Sequence, residues 1–416
     1  MASAKEIEGP VEEQLDSTDL SHMKFYSKFG RIEDISSRKA NSTAQSSGSI
    51  NSTKMDPETA RCLFEEGAFL IFLDVPEKTE FGIDVSSWNV GEKFKGVKMI
   101  PPGIHFVHYS AVSKHNVTAP RTGFFHDFKR KEVVVKRWDR KNEGLDTLPV
   151  CAEESERYAS SLQNLDPFLG AYPYDTYKRW ISMSRWITDI TLLRLVPTGP
   201  NGCIFAVQQL ESQPYVCLSR SESPSRKRTK ATLPEMKVSE ETRIRFSDLS
   251  TKRLCRGAQP SDITSMNMDK SVFLDHWIAD ELHGSPAEVL GEVQFAFVCF
   301  LVGQVYDAFE QWKNIVALLS QCEKAMLDRP DFFLDVIGLL YFQVQEIPKD
   351  FFVDVVSQEN FLTNTLQSFF AIAEHADGVD ERLRSRAGQF RKYLQKMFKW
   401  DFSMESNEDA PVVVDL

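Results

Sequence analysis

Histidines and carboxylates recur in this chain at four spacings that bear on chemistry. His105 and His108 lie three apart in the stretch Gly103-Ile104-His105-Phe106-Val107-His108-Tyr109, whose alternation suits a strand. Side chains three apart on a strand point to opposite faces, so this pair cannot share a metal. His126 and Asp127 are adjacent and diverge for the same reason. His276, Asp280 and His283 are the one set with ligand spacing, because on a helix all three would share a face. With no fourth ligand in view, a solvated helix face is the preferred reading. Asp354 and Glu359, five apart on an expected helix, suit a surface role better than general acid–base work. No Walker loop, GxGxxG, GxSxG or HExxH is present, nor the basic-Gly-aromatic-Gly-Phe signature of an RNA-recognition motif. The expectation is a binding protein with no catalytic residues, no cofactor and no metal.

Composition narrows the class further. The 416 residues carry a formal net charge of −11, which disfavours nucleic acid as a partner of the whole surface. Hydrophobic residues make up 42%, enough for substantial cores, and the 30 Phe read first as packing. The seven Cys are odd in number and form no CxxC, which argues against a disulfide framework or a zinc ribbon. No secretory signal is read at the N-terminus, so a reducing compartment is expected. No apolar run approaches the roughly 18–20 residues of a membrane span, Phe295–Val302 being the best candidate.

The elements that must position these residues fall in two groups. Residues 1–54 are polar and of low complexity, and read as a disordered extension. A first domain spans 55–210. Asp56-Pro57 opens a short helix with Ala60, Leu63 and Phe64 on one side, and Ala68–Val75 is a continuously apolar, buried strand. Phe81–Asp84 with Trp88, Phe94–Ile100, Ile104–Tyr109, Gly123–Phe125 and Val133–Val135 add short strands, so a small sandwich or barrel ending near Trp138 is expected. Tyr158, Leu162 and Leu165 then fit a helix closed by Asp166-Pro167, and Tyr177, Trp180, Ile181, Met183 and Ile187 fit a second. A linker covers 211–234. A helical domain covers 235–404. One helix starts at Ser285-Pro286 with Leu290, Val293, Phe297, Phe300 and Leu301 buried, and others carry Val305–Leu319, Phe333–Tyr341, Phe351–Val356 and Phe361–Phe370. A last, basic one holds Leu383, Phe390, Leu394 and Phe398. No clean 34- or 40-residue repeat appears. The fold class is therefore α+β.

Two polar segments could reach outward. The linker holds Arg226, Lys227, Arg228 and Lys230, a basic run that fits a nuclear-import signal better than an RNA contact, and Ser223 before Pro224 is a candidate phosphorylation site. The tail, 405–416, ends in Pro411, Val412, Val413 and Val414. Three β-branched residues after an acidic stretch suit a strand added to another protein's sheet edge.

The segments Thr79-Glu80-Phe81-Gly82-Ile83-Asp84 with Ser87-Trp88, Phe94–Phe106, Gln294–Leu301, Asp350–Gln358 and Ala410–Val414 resemble the A1–alpha2-repression family of splicing factors, over about 55–416. The resemblance implies a β-rich domain followed by a superhelical, VHS-like one. It implies an assembly factor in cytoplasm and nucleus that binds the large scaffold protein of the U5 small nuclear ribonucleoprotein (snRNP) precursor. The scaffold's RNase-H-like and Jab/MPN-like domains would be bridged by the tail strand Val412–Val414, which blocks early helicase and RNA binding until the factor leaves. The chain departs from the family in its 54-residue extension and in a more basic, Ser-rich linker. Two rival readings stand beside it. One is an RNA adaptor using Arg226–Lys230; the other is an enzyme using His105, His108 or Asp127. Neither direct RNA contact nor a membrane is expected.

Overall fold

A computed structural model describes residues 57–113, 115–207, 210–212, 236–249, 266, 268–347 and 361–402. Two units are recognised, 1–66 and 67–416. In the first, helix α1 (Pro57–Glu66) starts on proline and carries an exposed Arg61–Glu65 pair one turn apart. The other described elements belong to the second.

Strand β1 (Ala68–Leu73) is buried at all six positions. It is antiparallel to β4 (Gly96–Ile100) and parallel to β7 (Val133–Asp139). A central strand covered on both faces has no use for polar alternation, hence its continuously apolar sequence. Strands β8 (Gly144–Leu145) and β9 (Leu169–Ala171) take the edges, in the order β8-β7-β1-β4-β9. The second sheet is antiparallel throughout. It contains β2 (Glu80–Ile83), β3 (Ser86–Asn89), β5 (Gly103–Ser110), β6 (Thr122–Phe128) and β10 (Ile204–Phe205), in the order β10-β6-β5-β2-β3. Pro101-Pro102 falls between β4 and β5, where the chain passes from one sheet to the other and no ladder donor is needed. Gly96 has φ 138°, and a Cβ there would stand 1.9 Å from the Leu70 carbonyl oxygen, so the close approach of β4 to β1 demands glycine. Between the sheets, the Phe72 ring meets Phe81, Tyr109 and Trp138 at centroid distances of 5.6, 5.9 and 6.1 Å.

The helices are α2 (Ala152–Ser160), α3 (Leu162–Leu165), α4 (Tyr177–Ser184), α5 (Asp189–Leu195), α6 (Ser271–Asp280), α7 (Ala287–Leu301), α8 (Tyr306–Leu319), α9 (Glu323–Asp328), α10 (Pro330–Glu346), α11 (Phe361–His375) and α12 (Glu381–Phe398). At the centre lies α7, buried without a gap from Glu288 to Cys299. One core runs from the helical part into the β part, joining Phe295, Trp312 and Phe333 to Trp180, Ile204 and Phe106. The ring of Phe125 on β6 stacks on Phe295 of α7 at 5.0 Å.

Several expectations change. Strands continue past Trp138, as β8, β9 and β10. These edge pieces are two or three residues long, too short to show alternation. The helix expected through Leu165 divides at Ser161, and Ile187 lies beyond the end of α4. Phe300 and Leu301 are half-buried rather than buried, packed against the margin of the core. Residues at the start of the expected linker pair with residues just past its end, β11 (Leu210–Ser212) with β12 (Met236–Val238), as a two-stranded ribbon. The expected helix at Phe351–Val356, with Asp354 and Glu359, lies outside the described residues, as do 1–54.

Candidate functional site: the seam between the two parts

Asp84 directly follows β2 in a left-handed conformation, φ 55°, fully buried. Its carboxylate accepts from the Tyr172 hydroxyl (2.6 Å), the Phe106 amide (3.0 Å) and His105 Nδ1 (2.7 Å). His105 Nε2 reaches the Pro101 carbonyl oxygen at 2.8 Å, so both ring nitrogens face oxygen acceptors. His108, on the other face of β5, donates from Nε2 to the main-chain oxygen of Asp84 at 3.2 Å. Thus the two histidines meet one residue from opposite sides. They do so as braces for the β2–β3 turn. Burial, with the nearby charge of Arg121 second, lowers His108 to about 3 and keeps it neutral. Burial and then Asp84 push the Tyr172 phenol up.

Arg121 carries the link across to the helical part. Its Nη2 donates to Glu80 at 2.6 Å and its Nη1 to the Val302 carbonyl oxygen, just past α7, at 2.8 Å. Beside it lies a cavity of about 220 Å³ lined by Asp84, Ser87, His108, Arg121, Arg179 and Val302. His108 Nδ1 and Arg121 Nε have no hydrogen-bond partner among the described residues. Asp127 stands elsewhere, paired with Lys129, so His105, His108 and Asp127 do not converge.

A second polar set fastens α7 to α4 and α5. Gln294 is fully buried; its Oε1 accepts from the Trp186 amide (2.7 Å) and its Nε2 donates to the Ser182 carbonyl (3.1 Å). Glu288 accepts from the Thr188 and Thr191 hydroxyls at 2.7 and 2.8 Å, and the Thr188 hydroxyl itself caps α5. Glu292, also fully buried, binds Arg194, the amide and hydroxyl of Ser247 (3.1 and 2.8 Å) and Gln311 Nε2 (2.9 Å). Three neutral donors and a guanidinium offset the desolvation of that carboxylate. Residues 239–249 form a strap here: Arg245 donates to the carbonyl oxygens of Leu193 and Val196, and Phe246 edges onto Phe295 at 6.1 Å. The strap, α5, α7 and α8 are thereby held as one body.

The metal-spacing set separates. His276 and Asp280 are on α6, 3.8 Å apart and exposed, but the helix ends at Asp280 and His283 turns left-handed at φ 52°. Among the described residues no group of three or more possible ligands gathers. Arg226, Lys227, Arg228, Lys230 and Ser223 lie outside the described residues, and so do Pro411, Val412, Val413 and Val414. Sequence reasoning missed Asp84, Glu288, Glu292 and Gln294. The available signal was three polar residues inside the otherwise apolar run Ala287–Leu301.

This architecture defines a class: two packed five-stranded sheets joined through a buried polar seam to a helical bundle, with its hydrogen bonding spent on rigidity. Two family descriptions match the chain, the AAR2 N-terminal domain over residues 66–197 and the AAR2 C-terminal repeat region over 246–403. The chain is 46% identical over 374 residues to the human protein called Protein AAR2 homolog, covering 87% of this chain and 97% of that relative. It is 37% identical over 370 residues to the Caenorhabditis elegans protein of the same name, 84% and 99% of the two chains. To the A1 cistron-splicing factor AAR2 of Saccharomyces cerevisiae it is 22% identical over 311 residues, 72% and 82%. The chain belongs to the AAR2 family.

Proposed function

We propose that this protein is a pre-mRNA splicing factor that acts as an assembly factor of the U5 snRNP. In this reading it binds the large U5 scaffold protein through its RNase-H-like and Jab/MPN-like domains. It works by occupancy: one ligand covers a surface, and helicase and RNA bind only after it departs. The observation that carries the reading is membership of the AAR2 family over both parts of the chain, together with the 311-residue match to a yeast relative named a splicing factor, 82% of whose length is covered. A rigid seam suits a protein that must hold two domains of a partner at fixed separation.

The tail strand Pro411–Val414 would supply ladder bonds to a partner sheet. Phe402, buried against Phe370 at 5.1 Å, roots that tail. The nine residues from there to Pro411 reach at most about 30 Å. Nuclear import through Arg226–Lys230, modification at Ser223, and residence in cytoplasm and nucleus belong to the same reading. The reading is also non-enzymatic, supported by the commitment of both His105 nitrogens within the fold. The test is calorimetry against the isolated scaffold domains. Deleting Pro411–Leu416 should weaken binding by at least about 1–3 kcal/mol, the scale of a lost hot spot. Unchanged affinity removes the tail from the mechanism, and no binding by the intact chain removes the proposal.

A further inference from the structure

We propose that the outer face of α12 is a docking site for an acidic peptide segment of a protein partner. Between Glu381 and Lys399 seven Lys or Arg stand against one carboxylate, in a chain whose net charge is −11. The inner face is fixed by Leu383, Ala387, Phe390 and Leu394, all buried, and by Tyr393 against Tyr341 of α10 at 4.7 Å. Arg386, Lys392, Lys396 and Lys399 lie on the exposed side.

Three of the seven cations are engaged within the fold. Arg382 pairs with Asp380 and Asp331 at 3.2 and 3.1 Å, Arg391 with Glu374 at 2.8 Å, and Arg384 donates to the Ala376 carbonyl at 3.2 Å. Arg386, Lys392, Lys396 and Lys399 are exposed and form no ion pair among the described residues. Cations in the last turn favour the helix dipole, which accounts for Lys396 and Lys399. That leaves Arg386 and Lys392 unexplained, along with the lack of interspersed acids that a merely soluble surface carries. Lys392, Lys396 and Lys399 follow at four and three residues, one stripe about 10 Å long. Met397, 41% exposed, and the stacked pair Phe398–Trp400 at 4.8 Å give the stripe an apolar border.

The chemistry favours carboxylates over a nucleic-acid backbone. The stripe spans only a few phosphates, and its members are lysines, which lack a bidentate fork. A short acidic segment with an apolar residue matches its length and border.

The test uses the full chain and fluorescence anisotropy with three labelled probes. These are a dodecapeptide of three Glu-Glu-Leu-Glu repeats, the same peptide with Gln for Glu, and a twelve-nucleotide uridine RNA. The acidic peptide should bind at least tenfold tighter than either other probe. The triple variant Lys392→Glu, Lys396→Glu, Lys399→Glu should lose at least tenfold of that binding, and the Lys→Gln triple an intermediate amount. A charge-matched control, Lys78→Glu, Lys93→Glu, Lys141→Glu, should lose less than twofold, with thermal melts confirming folding of every variant. RNA binding tighter than the acidic peptide, no peptide binding, or equal losses in the control would each overturn the proposal.

Discussion

His108 should make the fold acid-sensitive in a pH range where most carboxylates stay ionised. Its ring is 1% exposed, and burial holds its folded-state pKa near 3 against an ordinary value of 6.5. The space above Gly82 is filled by this ring; a Cβ there would lie 2.2 Å from its Cε1, so the imidazole packs directly on the β2 backbone. Because the folded value is the lower one, the unfolded chain takes up the proton first. The contribution is complete above about pH 6.5 and falls as pH drops from 6.5 toward 3. Between pH 7 and pH 5 the expected loss is about 2 kcal/mol, from about 1.4 kcal/mol for each pH unit below 6.5. Urea titrations of the wild type and His108→Gln at both pH values measure it. Gln retains a donor for the Asp84 carbonyl oxygen and does not titrate, so His105 and the carboxylates cancel in the comparison. The variant should lose about 2 kcal/mol less than the wild type. Equal losses would mean that His108 is protonated inside the folded chain, and would refute the reasoning.

Arg194→Met should destabilise by about 3–5 kcal/mol, because it strands the fully buried Glu292, and adding Glu292→Gln should recover part of that loss in urea titrations. Iodoacetamide at pH 8, followed by peptide mass mapping, should label exposed Cys151 well before Cys203, Cys299 and Cys322. Burial pushes the Cys203 thiol up to about 11 and raises the Cys299 and Cys322 thiols as well, so simultaneous labelling would show that the native core opens readily.

The sequence alone determined the class of the elements. The apolar run at Ala68–Leu73 required a central strand, Pro101-Pro102 required a break, and the spacing of Leu383, Phe390 and Leu394 required a helix with one buried face. These are local patterns, legible because a strand repeats every two residues and a helix every 3.6. The resemblance carried by Phe94–Phe106 and Gln294–Leu301 likewise identified the family. The partners of the polar residues were decided by tertiary structure. Asp84 gathers His105, His108 and Tyr172 across as many as 88 positions of sequence, and Glu292 gathers Arg194, Ser247 and Gln311 across 98, 45 and 19. Periodicity reports which side of an element is apolar. It does not report which distant donor a buried carboxylate meets, since that depends on how β5, α5 and α7 cross once their apolar faces have packed.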